Sequence, residues 1–216
     1  MEGIVVKVQS YLENDRLVFV YTTKGFKTLI AKGSQKLTSK ERILAQYLNL
    51  IEFKDTPNKT MFILTEGKAL NLFETLKKDY NNINLVSIMF DLIQTFVSDQ
   101  DDHEAIYQNL KEALLNFKKE TVLSFGFKLL RYLGYPLNLK PDGRKVKGFN
   151  ISEARIVYVG ENLQSDLNLT LTTFLLKLTH LPYDKIDEID ESYFNKLKSF
   201  MYQFYEYHTD TQIKRK

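Results

Sequence analysis

Charge carries what chemistry this chain can do. From Tyr21 to Lys40 the sequence reads YTTKGFKTLIAKGSQKLTSK, with Lys24, Lys27, Lys32, Lys36 and Lys40 recurring every three to five residues and no acid between them. Arg42 follows. Ammonium and guanidinium groups at this density suit phosphates or carboxylates. The interleaved Ser34, Gln35, Thr38 and Ser39 are groups that contact phosphate oxygens without reading a base. A basic loop is usually only a solvated face. Across the first 44 residues the bases Lys7, Arg16, Lys24, Lys27, Lys32, Lys36, Lys40 and Arg42 face Glu2, Glu13, Asp15 and Glu41. The surplus positive charge of the chain, whose net charge is +3, therefore sits in this region. That charge suits a nucleic acid without establishing one.

Other chemistry finds few residues to use. There is no cysteine, which excludes disulfides, thiolate metal sites and cysteine nucleophiles. His103, His180 and His208 are far apart and fall in no H-x-x-x-H pattern. We find no phosphate-binding glycine motif, no H-E-x-x-H and no G-x-S-x-G. Acidic clusters occur in SDQDDHE (98–104) and YDKIDEIDES (183–192). Both read as helix starts, where carboxylates meet the positive end of the dipole, in preference to a two-metal site.

The elements that must position these residues change period along the chain. GIVVKVQSY, RLVFVYTT, FKTLIAKG, YLNLIEFKD and KTMFILTEG are short β-rich runs. In the first, Val6 and Val8 share a face opposite Lys7. Turn signals at Glu13-Asn14-Asp15, Lys24-Gly25 and Thr56-Pro57-Asn58 separate the runs. About five strands in roughly 70 residues predict a small barrel or sandwich. From about Leu70 the spacing turns helical, in NLVSIMFDLIQTFVSD with Asn84 as its cap, HEAIYQNLKEALLNF, TVLSFGFKLLRYLGYP, LTTFLLKLTHL and ESYFNKLKSFMYQFYEYH. Gly134 and Pro136 stop the third helix. We expect an α+β protein, all-β over 1–78 and a helical bundle over 79–216, with an irregular insert at about 138–165 carrying one or two short strands around ARIVYV. No window approaches the roughly 20 apolar residues of a membrane span. MEGIVVKVQSY lacks signal-peptide features, so a cytoplasmic chain is expected.

The stretch EGIVVKVQSYLENDRLVFVYTTKGFKTLIAKGSQKLTSK resembles the N-terminus of the RecO family of DNA repair and recombination mediators. The matching points are Glu2 to Val5, then Tyr11 and Glu13 of a Tyr-x-Glu turn, and Thr22 or Thr23 with Gly25. Ala31-Lys32-Gly33 follows, then the basic, serine-containing Lys36, Ser39 and Lys40. FKLLRYLGYPLNL resembles the family's helix ending in Leu-Gly-Tyr-Pro. FYEYHTDTQIKRK resembles its C-terminal helix and basic tail, without the tail's serine. Many relatives carry four zinc-binding cysteines after Leu-Gly-Tyr-Pro. Here the first pair falls near Pro141 and Arg144 and the second near Tyr158 and Glu161, which marks a zinc-less member. Packing of Val157, Tyr158 and Val159 is the expected substitute.

The resemblance implies an OB-fold barrel followed by a helical domain, without catalysis or cofactor. It implies binding of single- and double-stranded DNA and annealing of complementary strands. It also implies work with RecR in loading RecA onto strands covered by single-strand-binding protein, at the bacterial nucleoid. On an OB groove, Lys32, Lys36, Lys40 and Arg42 are the expected phosphate contacts, with Lys24 and Lys27 next and Tyr11, Phe26 and Tyr21 as stacking platforms, against which core packing is the stronger reading for Tyr21 and an equal one for Phe26. The acidic, apolar tail of single-strand-binding protein needs a pocket rimmed by cations. Lys118, Lys119, Lys128 and Arg131 are the candidates, although the family's rim arginine aligns near Ser124, and Lys128 and Arg131 equally suit the polar face of a core helix. The tail from Ile213 to Lys216 either adds nonspecific DNA affinity or frays. The alternative reading is a non-catalytic adaptor whose OB-like domain binds an acidic protein partner. A degenerate nuclease built on the acidic clusters would need magnesium.

Overall fold

The structure is a computed structural model and describes residues 1–57, 61–213 and 215. Its elements begin with β1 (Glu2–Tyr11), β2 (Asp15–Thr22), β3 (Gly25–Ala31), α1 (Glu41–Leu44), β4 (Leu50–Pro57), β5 (Phe62–Asn71) and α2 (Glu74–Lys77). They continue with α3 (Tyr80–Phe96), α4 (His103–Leu115), α5 (Lys119–Tyr132), β6 (Val146–Asn150), β7 (Arg155–Tyr158), β8 (Leu167–Asn168), α6 (Leu169–His180) and α7 (Glu191–Thr209). Contacts divide the chain into two compact units, Met1–Ile83 with Asp102–Lys111, and Asn84–Asp101 with Glu112–Lys216. No described helix is long and apolar enough to cross a membrane. Of the predicted turn at 56–58, Asn58 lies outside the described residues, as do Lys214 and Lys216 of the basic tail.

In the first unit the strands close into a barrel in the order β1-β2-β3-β5-β4. Neighbours are antiparallel except β3 and β5, which pair in parallel through Leu29 with Phe62 and Ile30 with Ile63. β1 seals the barrel against β4 through Gly3 opposite Ile51. Among the described residues of this barrel, closure pairs each strand on both sides. This is the OB-like barrel that the resemblance implied. Alternation along β2 fills its interior, since Val18 and Val20 are fully buried while Leu17 and Phe19 are half-buried. With Val5, Leu29, Ile51 and Phe53 they form the core, each side chain contributing about 1.5–3 kcal/mol of burial. In β1 the simple alternation fails. A register shift between Val5 and Lys7 buries Val5 and Val6 in succession and leaves Val8 half-buried, because a bulge inserts one residue and flips the faces beyond it.

The first turns of α4 belong to this unit. Asp102 caps them, its Oδ1 accepting from the Ala105 N–H at 3.0 Å. The Tyr107 hydroxyl donates to Glu2 Oε1 at 2.7 Å, and Lys111 Nζ reaches the same oxygen at 2.7 Å. Burial opposes the charge of Glu2, yet these hydrogen bonds and the Lys111 ammonium hold its carboxyl below the usual range. Burial, reinforced by Glu2, pushes the Tyr107 hydroxyl far above the ordinary tyrosine value.

In the second unit α3, α5, α6 and α7 contribute apolar faces to the core, as the helical spacing predicts. The start of α3 differs from expectation. Asp79 accepts from the Asn81 N–H at 2.8 Å and opens the helix at Tyr80, so Asn84 lies inside it. Gly134, at φ +84°, ends α5, and the Tyr135 N–H closes on Leu130 O at 2.9 Å. Gly126 gives α7 close access to α5, so the Tyr205 hydroxyl donates to Gly126 O at 2.7 Å. The insert is more regular than expected. β7 occupies the predicted RIVY run, but β6 and β8 join it in a three-stranded sheet ordered β7-β6-β8. Phe149 of β6 anchors this sheet edge-on against Phe200 of α7, ring centres 5.8 Å apart.

Candidate functional site

The basic segment starts where β3 ends. Ala31 is buried and Lys32 exposed, and the chain then runs through successive tight turns, with Lys36 N–H bonded to Gly33 O at 3.0 Å and Ser39 N–H to Lys36 O at 3.2 Å. Gly33 makes the first turn at φ +65°, a conformation that a Cβ would strain. The segment is tied to the β1–β2 hairpin. Asp15 Oδ1 accepts from the Gly33 N–H at 2.7 Å, the Gln35 side chain donates to Asp15 O at 2.7 Å, and the Gln35 N–H donates to Asn14 O at 2.9 Å. Tyr11 sits directly across the hairpin from Asp15 and is half-buried. Lys32, Lys36 and Lys40 are all exposed, and so is Leu37 between them. Arg42 is half-buried and donates to Gln35 O at 3.4 Å. Ser34, a candidate phosphate contact by its type, is fully buried and cannot reach a ligand as it stands.

Not all sequence candidates join this group. β3 spans seven residues, about 20 Å of extended chain, and it separates the turn holding Lys24 from the loop holding Lys32. Lys24 is exposed at that far end, where Thr22 Oγ1 donates to Gly25 O at 2.9 Å. Phe26 is there too, 41% exposed, its ring 4.7 Å from that of Tyr21. Tyr21 itself is fully buried and its hydroxyl is bonded to His103 Nδ1 at 3.1 Å, so this ring is core and no platform. Lys27, between the two ends, is half-buried, ion-paired with Asp55 and set over the Phe62 ring. Its ammonium lowers the Asp55 carboxyl pKa through that hydrogen bond. The lysines therefore do not make one continuous track. Tyr11, Lys32, Lys36, Lys40 and Arg42 form one group, Lys24 and Phe26 another.

On α5, most of the candidate cations are engaged within the second unit. Lys128 Nζ donates to Leu181 O at 2.7 Å and lies 3.7 Å from the centre of the Tyr183 ring, and burial lowers its pKa. Lys118 Nζ donates to Ile186 O at 3.3 Å, and Lys119 Nζ meets Glu191 at 3.2 Å. Lys118 and Lys128 fasten α5 to the connection between α6 and α7, and Lys119 to the first residue of α7. Arg131 is exposed in the last turn of α5. Ser124 is buried and donates to Leu178 O at 2.7 Å, so that position offers no rim cation.

Models of the recombination protein O N-terminal and C-terminal domains match residues 1–73 and 77–216. The chain belongs to the recombination protein O family. It is 31% identical over 142 residues to the DNA repair protein RecO of Clostridium perfringens, covering 62% of this chain and 58% of that protein. It is 28% identical to the DNA repair protein RecO of Clostridium acetobutylicum over an alignment of 227 residues, 94% of this chain and 91% of that one. For the protein of that name from Oceanobacillus iheyensis the identity is 23% over 141 residues, covering 62% of this chain and 55% of that one. The chain thus spans less than two thirds of the length of some of these relatives.

The positions at which the resemblance placed zinc ligands hold a different device. Pro141 has no side-chain donor. Arg144 binds Asp142 at 2.6 Å and Glu161 at 2.8 Å, with its guanidinium 3.9 Å from the centre of the Tyr158 ring. Arg155 binds Glu161 at 2.9 Å, and the Tyr158 hydroxyl accepts from the Asp142 N–H at 3.1 Å. A proline, an arginine, a tyrosine whose ring lies under that arginine and a carboxylate already held by two arginines do not make a zinc site, so these residues do not fit the metal. Of the apolar residues expected to pack instead, Val157 and Tyr158 are buried and Val159 is 58% exposed. Among the described residues no group of His, Asp and Glu is arranged to hold a metal ion. The acids of 98–104 act locally, Asp101 accepting from the Ser98 N–H and hydroxyl at 2.7 and 2.9 Å.

Proposed function

We propose that this protein is a non-catalytic recombination mediator that binds single- and double-stranded DNA through the loop from Lys32 to Arg42. The observation that carries this reading is the fastened loop at one end of the barrel, presenting exposed Lys32, Lys36 and Lys40 beside Tyr11. Ammonium groups neutralise phosphates and release counterions, while Tyr11 and the exposed Leu37 offer apolar surface to bases. Lys24 and Phe26 form a second contact about one strand length away, which a long strand reaches and a short oligonucleotide does not. Lys27, held by Asp55, contributes least. Residues 1–78 act as the DNA-binding domain and 79–216 as the partner-binding domain. Membership in the family supports strand annealing and cooperation with RecR in loading RecA at the nucleoid in the cytoplasm. The helical domain receives the acidic tail of single-strand-binding protein, with exposed Arg131 in the last turn of α5 as a cation to meet it.

Fluorescence anisotropy of a labelled single strand across a salt series tests the DNA reading. Each phosphate contact on a single strand adds about 0.7 to the slope of log affinity against log salt. The quadruple alanine variant of Lys32, Lys36, Lys40 and Arg42 is expected to lower the slope by about 2–3 and to weaken binding at least about tenfold at low salt. Absence of wild-type binding even at low salt would overturn the reading and leave the adaptor for an acidic protein.

A further inference from the structure

The acid at the root of the basic loop is out of keeping with its surroundings. A carboxylate among lysines weakens their attraction for a polyanion, because at about 0.1 M salt charges still act on one another within a screening length of about 10 Å. Yet Asp15 is half-buried and aimed at backbone, its Oδ1 accepting from the Gly33 N–H at 2.7 Å. Gln35 completes the fastening. Its side chain donates to Asp15 O at 2.7 Å and Leu12 O at 3.5 Å, and its N–H donates to Asn14 O at 2.9 Å. Arg42 reaches back to Gln35 O at 3.4 Å from the other end of the loop. Each of these bonds joins the turn after β1 to the loop after β3, or closes that loop on itself. Together they fix the direction in which Lys32, Lys36 and Lys40 leave the barrel.

We propose that Asp15 and Gln35 are positioning residues for DNA binding, ordering the basic loop before it meets phosphate. The proposal rests on the DNA reading above and deepens it. A loop ordered in advance loses less conformational freedom on binding, and that saving appears as affinity. Asp15 therefore acts against its own charge, adding more through order than it subtracts through repulsion.

This sets two effects in opposition. On charge alone, Asp15→Ala adds one positive unit to the surface and tightens DNA binding. On positioning, it weakens binding. We expect Asp15→Ala to bind a labelled oligothymidine about tenfold more weakly than wild type at low salt, with a flatter salt slope although every lysine is present. Asp15→Asn keeps an oxygen to accept from Gly33 and stays within about twofold of wild type. Gln35→Ala weakens binding in the same direction, and it serves in place of Asp15→Ala should that variant fail to fold, as judged by circular dichroism. Backbone amide exchange through 33–40 speeds up in both alanine variants. Unchanged or tighter binding by folded Asp15→Ala and Gln35→Ala, while the quadruple variant loses binding, overturns the positioning role alone. Unchanged binding by the quadruple variant overturns the DNA reading for this loop and the positioning role with it.

Discussion

Ser34 lies at the centre of the basic loop, and among the described residues its buried hydroxyl has no hydrogen-bond partner. A buried, unsatisfied hydroxyl costs on the order of 1–3 kcal/mol, whereas a methyl of similar size there costs little. Ser34→Ala is therefore expected to leave stability unchanged or raise it by up to about 1 kcal/mol, read as a shift in Tm, with DNA binding preserved. A marked drop in Tm would show that the hydroxyl is bonded after all. The lysines of the loop could be read directly from the sequence, since exposed charges need no partner to be noticed. The role of Asp15 could not, because nothing local links it to Gly33, 18 residues away. Tyr21 was ambiguous for a similar reason. Its alternation in β2 marks an apolar face but does not say that α4 covers it.

The insert shows how an element is held when a local cross-link is absent. β6 and β7 meet in a hairpin whose open side is closed by Arg144 on Asp142 and Glu161 and by Arg155 on Glu161. Exposed ion pairs are individually weak and are screened by salt. Arg144→Ala is therefore expected to speed amide exchange in 146–158 while the rest of the second unit keeps its protection, and raised salt should act on wild type in the same direction. A metal chelator should leave Tm unchanged, since the residues at those positions do not fit zinc and Glu161 is held by two arginines; a chelator-induced drop would mean that a metal is bound. The strand in RIVY was legible from its short run of β-branched and aromatic residues, all buried. β6 and β8 were not, because Gly148 and the charged residues around it break the apolar pattern, and pairing of β6 with Leu167–Asn168 is a long-range choice.

At the scale of the whole molecule, its titrating groups set the pH range of stability. The folded-state pKa values of Glu2 and Asp55 lie below those of free carboxylates. Each contributes stability that is present above its unfolded value of about 4 and is lost as pH falls through the lowered folded value. Tyr107 and Tyr205 are shifted the other way, both raised by burial. The unfolded chain loses these protons near pH 10 while the folded chain keeps them, so stability falls as pH rises above about 10. Thermal melts across pH should show a plateau bounded on both sides. Tyr107→Phe should soften the alkaline edge, at the cost of one hydrogen bond to Glu2, and an unchanged alkaline edge would show that Tyr107 ionises normally in the fold.

The sequence by itself determined the order of the two kinds of structure, the apolar faces of strands and helices, the basic character of the segment after β3 and the absence of thiolate chemistry. These follow from residue type and from periods of two and 3.6, which act within a few neighbours. The tertiary structure decided which candidates stand together. The antiparallel pairing of β2 with β1 and β3 set Tyr11 and Asp15 against the loop from Lys32 to Arg42, and the length of β3 carried Lys24 and Phe26 away from it. It also drew Lys118, Lys119 and Lys128 into bonds within the helical unit and buried Ser34 and Tyr21. Pairing partners far apart in the chain are chosen by burial and hydrogen-bond satisfaction over the whole unit, and no local pattern encodes that choice.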